Sequence, residues 1–201
     1  MRVIAVTQRI DISSDGNEQR DALDQRLIDF LIVAGYLPIP VPNSLLANSM
    51  KKDIFNQWVS VFAPTAIVLS GGNDIGTCKR RDIIETALLE HAECTKLPVL
   101  GICRGMQMMG AYTGCQLLSV SGHVRTRHVL TGEIAREVNS YHNYALSSCP
   151  SKYNVIARSS DGQIEAIRHQ SLPWEGWMWH PEREEIFNAE DIIRIKELFS
   201  E

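Results

Sequence analysis

A cysteine stands between two glycines in the segment Gly101-Ile-Cys-Arg-Gly105, at the end of the apolar run 97–102. The run predicts a buried parallel strand, and the residues that follow it predict a helix. Strand, sharp turn and helix together form a nucleophile elbow, in which the flanking glycines tolerate the tight backbone. Because the N-terminus of the helix favours the thiolate, Cys103 is the candidate nucleophile.

A histidine and a glutamate lie two residues apart in the segment Trp177-Met-Trp-His-Pro-Glu-Arg183. A cysteine nucleophile needs a base that takes its proton and returns it to the leaving group, and the base needs a carboxylate that fixes its tautomer. His180 and Glu182 are suited to these two roles. Each motif alone also fits a structural role, as a buried core cysteine or a loop histidine, but the two together favour catalysis.

A glycine pair follows a second apolar run, in the segment Ser70-Gly-Gly-Asn-Asp-Ile75. Thiolate attack on an amide carbonyl creates an oxyanion that needs fixed N–H donors. The carboxyl ends of parallel strands meet at one edge of a sheet, so we expect this turn beside the elbow. Its glycines allow backbone N–H groups to point inward, although an ordinary glycine turn is the alternative.

These segments resemble the class I glutamine amidotransferase superfamily and, within it, the γ-glutamyl hydrolase branch of peptidase C26-like enzymes. That branch includes γ-glutamyl-γ-aminobutyrate hydrolase. Arg104 directly after the nucleophile and Trp179 directly before the base favour the hydrolases over glutaminase subunits. The resemblance covers most of the chain, through Ser70-Gly-Gly-Asn-Asp74, Arg81-Asp82, the elbow, Asn139-Ser-Tyr-His142 and Trp179-His-Pro-Glu182.

The resemblance implies roles for further residues around the nucleophile. The backbone N–H groups of Gly72 and Arg104 would form the oxyanion hole. Gln107, one helical turn after Cys103 and on the same face, would contact the glutamyl group. The other substrate-binding residues that we expect are Gly71, Asn73, Ser140, Tyr141 and His142. The chain then continues with Asn143-Tyr144, where many hydrolases of this branch have His-Gln.

A basic segment, Ser121-Gly-His-Val-Arg-Thr-Arg-His128, follows the elbow helix. Arginine forks suit phosphate and carboxylate groups, so Arg125 and Arg127 predict an anionic leaving group that is phosphorylated or carries a nucleotide. A solvated charged strand fits the same pattern equally well. We expect no metal at His123 and His128, because neither a carboxylate nor a cysteine accompanies them in the segment.

Strand and helix patterns alternate along the first half of the chain. They predict an α/β fold, a three-layer, doubly wound and mostly parallel sheet of the flavodoxin-like kind, in one domain over residues 1–201. The predicted strands are 3–7, 36–41, 66–69, 97–102, 134–138, 154–158 and 164–168. The predicted helices are 21–34, 45–59, 81–95 and 191–199, and Asp161-Gly162 is a predicted hairpin turn.

Composition narrows the class of protein. The 201 residues are 44% hydrophobic and 22% charged, as in ordinary globular proteins, and the net charge of −4 argues against a nucleic-acid or anionic-membrane surface. Residues 1–7 resemble a first strand rather than a signal peptide. The five cysteines, without metal-ligand spacing, predict free thiols in a reducing cytoplasm.

Three functions compete for these motifs. The first is a free-standing hydrolase that cuts a γ-glutamyl amide through a γ-glutamyl thioester, without a cofactor. Its substrate would be a γ-glutamyl amine or a γ-glutamyl-linked phosphoramidate such as γ-glutamyl-CDP-amidate. The second is a glutaminase subunit that supplies ammonia to a synthetase partner, and the third is a redox sensor, which would not need the His-x-Glu pair. The sequence is compatible with a homodimer.

Overall fold

A mixed sheet of nine strands forms the centre of the computed structural model, which describes residues 1–46 and 52–200. The strands are β1 (Arg2–Thr7), β2 (Arg9–Ile12), β3 (Gln19–Ala22), β4 (Tyr36–Val41), β5 (Ile67–Leu69), β6 (Val99–Ile102), β7 (Leu117–Ser119), β8 (Val124–Gly132), β9 (Glu137–Tyr141), β10 (Tyr144–Leu146), β11 (Tyr153–Ser159), β12 (Ile164–His169) and β13 (Trp174–Trp177). The helices are α1 (Gln25–Val33), α2 (Lys52–Phe62), α3 (Lys79–Thr95), α4 (Arg104–Tyr112) and α5 (Ala189–Leu198), and Pro181–Arg183 is a short 3-10 helix.

The central sheet has a parallel half and an antiparallel half. Its order is β4-β1-β5-β6-β13-β12-β11-β8-β9, and the pairs from β4 to β13 are parallel. The remaining pairs are antiparallel. Antiparallel neighbours can be joined by tight turns, whereas parallel neighbours need a crossover connection. The doubly wound α/β fold that the sequence predicts is confirmed, and the carboxyl ends of β5, β6 and β13 meet at one edge.

Helices cover both faces of the sheet. Successive residues of β1 point to opposite faces, so Ile4 and Val6 belong to one hydrophobic cluster and Ala5 to the other. The first cluster contains Phe30 of α1 and Ile195 of α5, and the second is packed by α3 and α4. The result is three layers, helix on sheet on helix.

The start of the first helix differs from its prediction. We expected a helix over 21–34, but α1 begins at Gln25, where the Asp24 carboxylate accepts a hydrogen bond from the Arg26 N–H at 3.0 Å. Residues before it form β3, which pairs antiparallel with β2 in a hairpin that the sequence pattern did not indicate. Asp21 is held in that hairpin by hydrogen bonds from the Asn43 N–H and side-chain amide.

Several other boundaries also moved. The helix expected over 45–59 corresponds to α2, and residues 47–51 of that prediction lie outside the described part of the chain. The strand expected over 134–138 begins three residues later, as β9. The strands β7, β10 and β13 were not predicted, and β8 was foreseen only as the charged-strand alternative for the basic segment, whereas the Asp161-Gly162 turn between β11 and β12 was predicted.

Two further observations concern the apolar character of the helices and the state of the cysteines. Across the described ranges, none of the helices has the length and apolar character needed to cross a bilayer. All five cysteines of the sequence are free thiols.

Candidate active site

Cys103 occupies a strained turn between β6 and α4. Its φ of 52° and ψ of −106° lie where a residue with a Cβ is rarely found, a conformation that marks functional sites. The glycines on either side allow α4 to pack directly on the sheet. A Cβ on Gly105 would lie 2.1 Å from the Leu69 carbonyl oxygen, and one on Gly101 would lie 2.5 Å from the Met109 sulfur.

The neighbouring strand brings the predicted base to the predicted nucleophile. β13 pairs with β6, and the Cys103 N–H donates to the Trp177 carbonyl at 2.7 Å. The chain therefore leaves β13 beside Cys103 and places His180 three residues later. His180 is 2% exposed, and its Nδ1 lies 2.6 Å from Glu182 Oε1. The structure thus brings together the three residues that the motifs single out.

Charge in this buried site favours the imidazolium form of His180. Burial alone would lower the pKa of His180, but the negative charges of Cys103 and Glu182 and the hydrogen bonds to both raise it from 6.5 to about 10. Two ionised groups stabilise the imidazolium between them, so the ring enters the reaction as a proton donor. A thiolate–imidazolium pair of this kind is an activated nucleophile.

This arrangement predicts a high alkaline limit for activity. A raised histidine pKa contributes folding stability that is complete below pH 6.5 and is lost as pH rises toward 10. The same proton loss removes the donor for the leaving nitrogen, so we expect kcat/KM to fall on the alkaline side with an apparent pKa near 10. A pH profile of kcat/KM measures this, and a descending limb near 6.5 would contradict the assigned pair.

Asn139 holds the backbone of His180. The sequence predicted no role for this residue beyond its place in the segment Asn139-Ser-Tyr-His142. Its Nδ2 donates to the His180 carbonyl at 2.8 Å, and its Oδ1 accepts from the His180 N–H at 3.0 Å. Asn139 lies in β9, at the far side of the sheet from β6, and is 4% exposed. It is a positioning residue for the base, which no local sequence pattern could have indicated.

Asn139→Ala is expected to lower kcat about 10- to 100-fold with little change in KM. Loss of the two bonds to the His180 backbone, and of a third from Asn139 Nδ2 to Glu184 Oε1 at 2.8 Å, frees the backbone that carries the base, and small displacements of a catalytic group have effects of this size. Steady-state kinetics at several pH values checks the split. Asn154→Ala, an exposed strand asparagine, is the matched control and should change neither constant. A rise in KM alone would contradict the positioning role.

The glycine turn predicted as part of an oxyanion hole lies against the base. A Cβ on Gly71 would lie 2.7 Å from His180 Cε1, so only glycine fits there. Gly72 has a φ of 94°, a backbone region that favours glycine. Within residues 1–46 and 52–200, the N–H groups of Gly72 and Arg104 donate no hydrogen bond, which leaves both free for an oxyanion. The oxyanion role itself stays a prediction.

A buried cluster of charges anchors this turn. Arg81 Nη2 donates to the Ser70 carbonyl at 2.6 Å, and Arg104 Nε donates to the Asn73 carbonyl at 2.7 Å. Both guanidinium groups pair with Glu85, and Arg104 also pairs with Asp82. Burial lowers the pKa of Arg81 to about 10 and that of Arg104 to about 9. The carboxylate of Glu85 compensates both cations, and Glu85 was not among the site residues predicted from the sequence.

Several predicted substrate-binding side chains have partners inside the protein. The Asn73 amide exchanges hydrogen bonds with the backbone of Ile10, at 2.8 and 3.0 Å. Gln107 Nε2 donates to the Tyr144 carbonyl at 2.9 Å. Tyr141 stands edge-on to the His180 ring, with centroids 5.8 Å apart. Tyr141 is thus beside the base, while substrate contacts from Asn73 and Gln107 stay predictions.

Ser140 and His142 are engaged in a buried histidine cluster. Ser140 Oγ donates to the His123 carbonyl at 2.8 Å, and His142 Nε2 lies 3.2 Å from His123 Nδ1. Their roles in substrate binding stay predictions. The premise that no carboxylate accompanies His123 and His128 is wrong, because Glu165 of β12 lies beside them. Glu165 is far from both histidines in the sequence and close to them only in the folded sheet.

The two arginines of the basic segment differ in environment. Arg127 pairs with Glu137 at 2.7 Å and with Glu184 at 3.2 Å. Arg125 lies at an irregularity in the pairing of β8 with β9, has a φ of 55° and makes no ion pair in the described part of the chain. Such a bulge re-aims a side chain, so Arg125 is an exposed cation next to Tyr141 on the paired strand.

Several known proteins are similar to this chain in sequence or in fold. The chain is 30% identical to the γ-glutamyl-CDP-amidate hydrolase of Campylobacter jejuni, over 98% of this chain and 97% of that one. It is 24% identical to a γ-glutamyl-γ-aminobutyrate hydrolase of Escherichia coli O157:H7, over 80% and 78% of the two chains. A crystal structure described as that of a GMP synthase subunit from Thermoplasma acidophilum superposes with a TM-score of 0.71 at 20% identity, over 100% and 94%.

The family assignment follows from a broader match. The model of the class-I glutamine amidotransferase family matches residues 27–194, which include the elbow, the glycine turn and the His180–Glu182 pair. The matched range covers most of the chain. The chain therefore belongs to the class-I glutamine amidotransferase family.

Proposed function

We propose that this chain is a cysteine-dependent hydrolase of γ-glutamyl amide bonds. The observation that carries the proposal is Cys103, held at a strained turn with His180 and Glu182 in the same buried site. The Cys103 thiolate attacks the γ-carbonyl, and the N–H groups of Gly72 and Arg104 stabilise the oxyanion. His180 protonates the departing nitrogen, the C–N bond breaks, and a γ-glutamyl thioester remains.

Hydrolysis of the thioester completes the reaction. A water molecule gives a proton to His180, which is now neutral, and its oxygen attacks the thioester carbonyl. The C–S bond breaks, glutamate leaves, and the thiolate and imidazolium are restored. These steps need no cofactor, and Glu182 keeps the His180 ring in one orientation throughout.

The leaving group that we propose is anionic. Three exposed cations lie on segments near Tyr141 or His180: Arg125 at the pairing irregularity of β8 with the strand of Tyr141, Arg183 with its guanidinium 4.5 Å from the centre of the Tyr141 ring, and Arg9, which pairs with Asp11, in the cavity that Gly72 and His180 line. A γ-glutamyl-linked phosphoramidate such as γ-glutamyl-CDP-amidate suits these charges, and a γ-glutamyl amine is the alternative. The likeness to the Campylobacter jejuni hydrolase supports the first.

Arg125→Ala is expected to raise KM for a phosphoramidate substrate about tenfold, with kcat nearly unchanged. A charge-assisted hydrogen bond contributes roughly 1.5–3 kcal/mol, and ground-state binding appears in KM. Parallel assays with an uncharged γ-glutamyl amine should show less than a twofold effect. Arg2→Ala, at the opposite end of the parallel strands, is the control. Equal effects on both substrates would contradict an anionic leaving group.

A glutaminase subunit is the second candidate. Membership of the class-I glutamine amidotransferase family favours it, because hydrolysis of glutamine can use the same nucleophile and base. In that case glutamine is the substrate, ammonia is the product, and turnover depends on a synthetase partner.

Glutamate release by the purified chain separates the two candidates. The substrates are glutamine, γ-glutamyl amines and a γ-glutamyl phosphoramidate, and Cys103→Ala is the control for contaminating activity. Cysteine-dependent turnover of a conjugate, with glutamine a poor substrate, supports the hydrolase. Glutamine turnover only after a synthetase is added, with every conjugate inert, would overturn the proposal in favour of the glutaminase.

A further inference from the structure

Four metal-binding side chains converge outside the Cys103–His180–Glu182 triad. His123 precedes β8, His128 lies in it, His142 follows β9, and Glu165 lies in β12. One ligand atom from each lies within 4.8 Å of all the others. His123 Nδ1 is 3.2 Å from His142 Nε2, and each of these nitrogens is 3.4 Å from Glu165 Oε1.

The outer hydrogen bonds fix which nitrogens face inward without a proton. His142 Nδ1 lies 3.0 Å from the Tyr144 carbonyl, which can only accept, so Nδ1 carries the proton and Nε2 a lone pair. His123 Nε2 lies 2.8 Å from Asp161 Oδ2. Asp161 Oδ1 accepts a hydrogen bond from Ser159 Oγ at 2.5 Å, and Oδ2 is the acceptor that faces His123. In the neutral rings, two lone pairs therefore meet at 3.2 Å.

Among the residues described, no lysine or arginine pairs with the Glu165 carboxylate in the cluster. Glu165 is fully buried, and neither of its oxygens has a hydrogen-bond partner among the residues described; the same is true of His128 Nε2. An unpaired buried carboxylate facing imidazole lone pairs is costly unless a cation lies between them.

We propose that His123, His128, His142 and Glu165 bind a divalent transition-metal ion of the zinc class. Zinc prefers four N and O ligands at about 2.0–2.2 Å, which places neighbouring ligand atoms roughly 3.3 Å apart in a tetrahedron. The separations among the ligand atoms of His123, His142 and Glu165 are 3.2, 3.4 and 3.4 Å, and the nitrogen of His128 lies within 4.8 Å of them. The hydrogen bonds from His123 to a carboxylate and from His142 to a carbonyl are those that ligating histidines make.

The site supplies all four ligands from the protein, which is the pattern of a structural metal. Its ligands join β8, β9 and β12, the strands that carry Arg125, Asn139 and Tyr141. Two contacts link it to the nucleophile and base: the Tyr144 carbonyl also accepts from Gln107, and the Met178 N–H donates to the Glu165 carbonyl at 2.8 Å. The ion holds β8, β9 and β12 in place beside the nucleophile and base, whichever reaction Cys103 performs.

Metal titration tests the proposal on the full chain carrying Cys103→Ala, because the thiolate and His180 could themselves bind zinc. After chelation and dialysis, Zn²⁺ is added and bound metal and Tm are measured. We expect one ion per chain and a Tm increase of about 8 °C or more at thousandfold excess over Kd. Co²⁺ should give visible ligand-field bands of a tetrahedral site without a thiolate charge-transfer band.

Two variants and one control separate a site from incidental binding. His128→Ala removes the partly exposed ligand, and Glu165→Gln keeps the shape of the buried one; each should weaken Zn²⁺ binding at least tenfold. His91→Ala, a histidine of α3 outside the cluster, should bind Zn²⁺ as the parent does. Absence of stoichiometric metal, or affinity unchanged in both folded variants, would overturn the proposal and leave a shared proton as the charge in the cluster.

Discussion

Cys103→Ala is expected to lower kcat for glutamate release by about four orders of magnitude or more. Removal of the nucleophile leaves only the oxyanion donors and substrate binding, which retain a small part of the catalysis in other nucleophile–base enzymes. Steady-state assays with the best γ-glutamyl conjugate measure the loss. Mass spectrometry of the quenched parent enzyme should show a γ-glutamyl adduct that the variant lacks. Residual activity within 100-fold of the parent would show that the reaction does not pass through Cys103.

A second substitution at the same position tests the strain of the elbow. At an ordinary position glycine is about 0.5–1 kcal/mol less favourable than alanine, because its unfolded chain is more flexible. At φ 52° and ψ −106° a Cβ costs roughly 1–3 kcal/mol, and glycine relieves it. Cys103→Gly should therefore unfold at a higher temperature than Cys103→Ala, although both are inactive. The reverse order would mean that the elbow stores no strain.

Glu85→Gln is expected to destabilise the fold by about 3–5 kcal/mol. Glu85 is fully buried between Arg81 and Arg104, so loss of its charge leaves two buried guanidinium groups with only Asp82 to compensate them. Urea unfolding of the variant and parent measures the difference. Because the same arginines bind the Ser70 and Asn73 carbonyls, we also expect a lower kcat in the folded fraction.

A matched control lies on the same helix. Glu90 is exposed on α3, so Glu90→Gln should change the free energy of unfolding by less than about 0.5 kcal/mol. A loss below about 1 kcal/mol for Glu85→Gln would show that water or a shifted proton compensates the arginines, and would contradict the role of the cluster in holding the glycine turn.

Features that depend on short segments were predictable from the sequence. The elbow, the glycine turn and the His180–Glu182 pair each follow from a few adjacent residues whose chemistry or backbone freedom is restrictive. The strand 66–69 and the helix 81–95 also agree with β5 and α3 within a few residues.

Features that depend on distant pairings were not predictable. Asn139 meets His180 and Glu165 meets His142 only in the tertiary structure, because these residues lie on or just after strands that neither follow one another in the chain nor pair with one another in the sheet. β13, with the sequence Trp-Glu-Gly-Trp, has neither the alternation nor the branched residues that mark a strand. Its Glu175 is buried by ion pairs with Arg168 and Arg194, contacts that only the tertiary structure supplies.

The position of β13 has a consequence for how the protein reaches its native state. It is the last strand of the described chain, yet it lies in the middle of the sheet, between β6 and β12. Until it inserts, β6 and β12 each leave an uncovered edge, and His180, which follows β13, is not held beside Cys103. Pairing across such sequence separation is slow, and open edges invite association between chains. The pairing of β13 with β6 therefore completes the nucleophile–base pair, and Cys103 lacks its base in any chain in which β13 has not yet inserted.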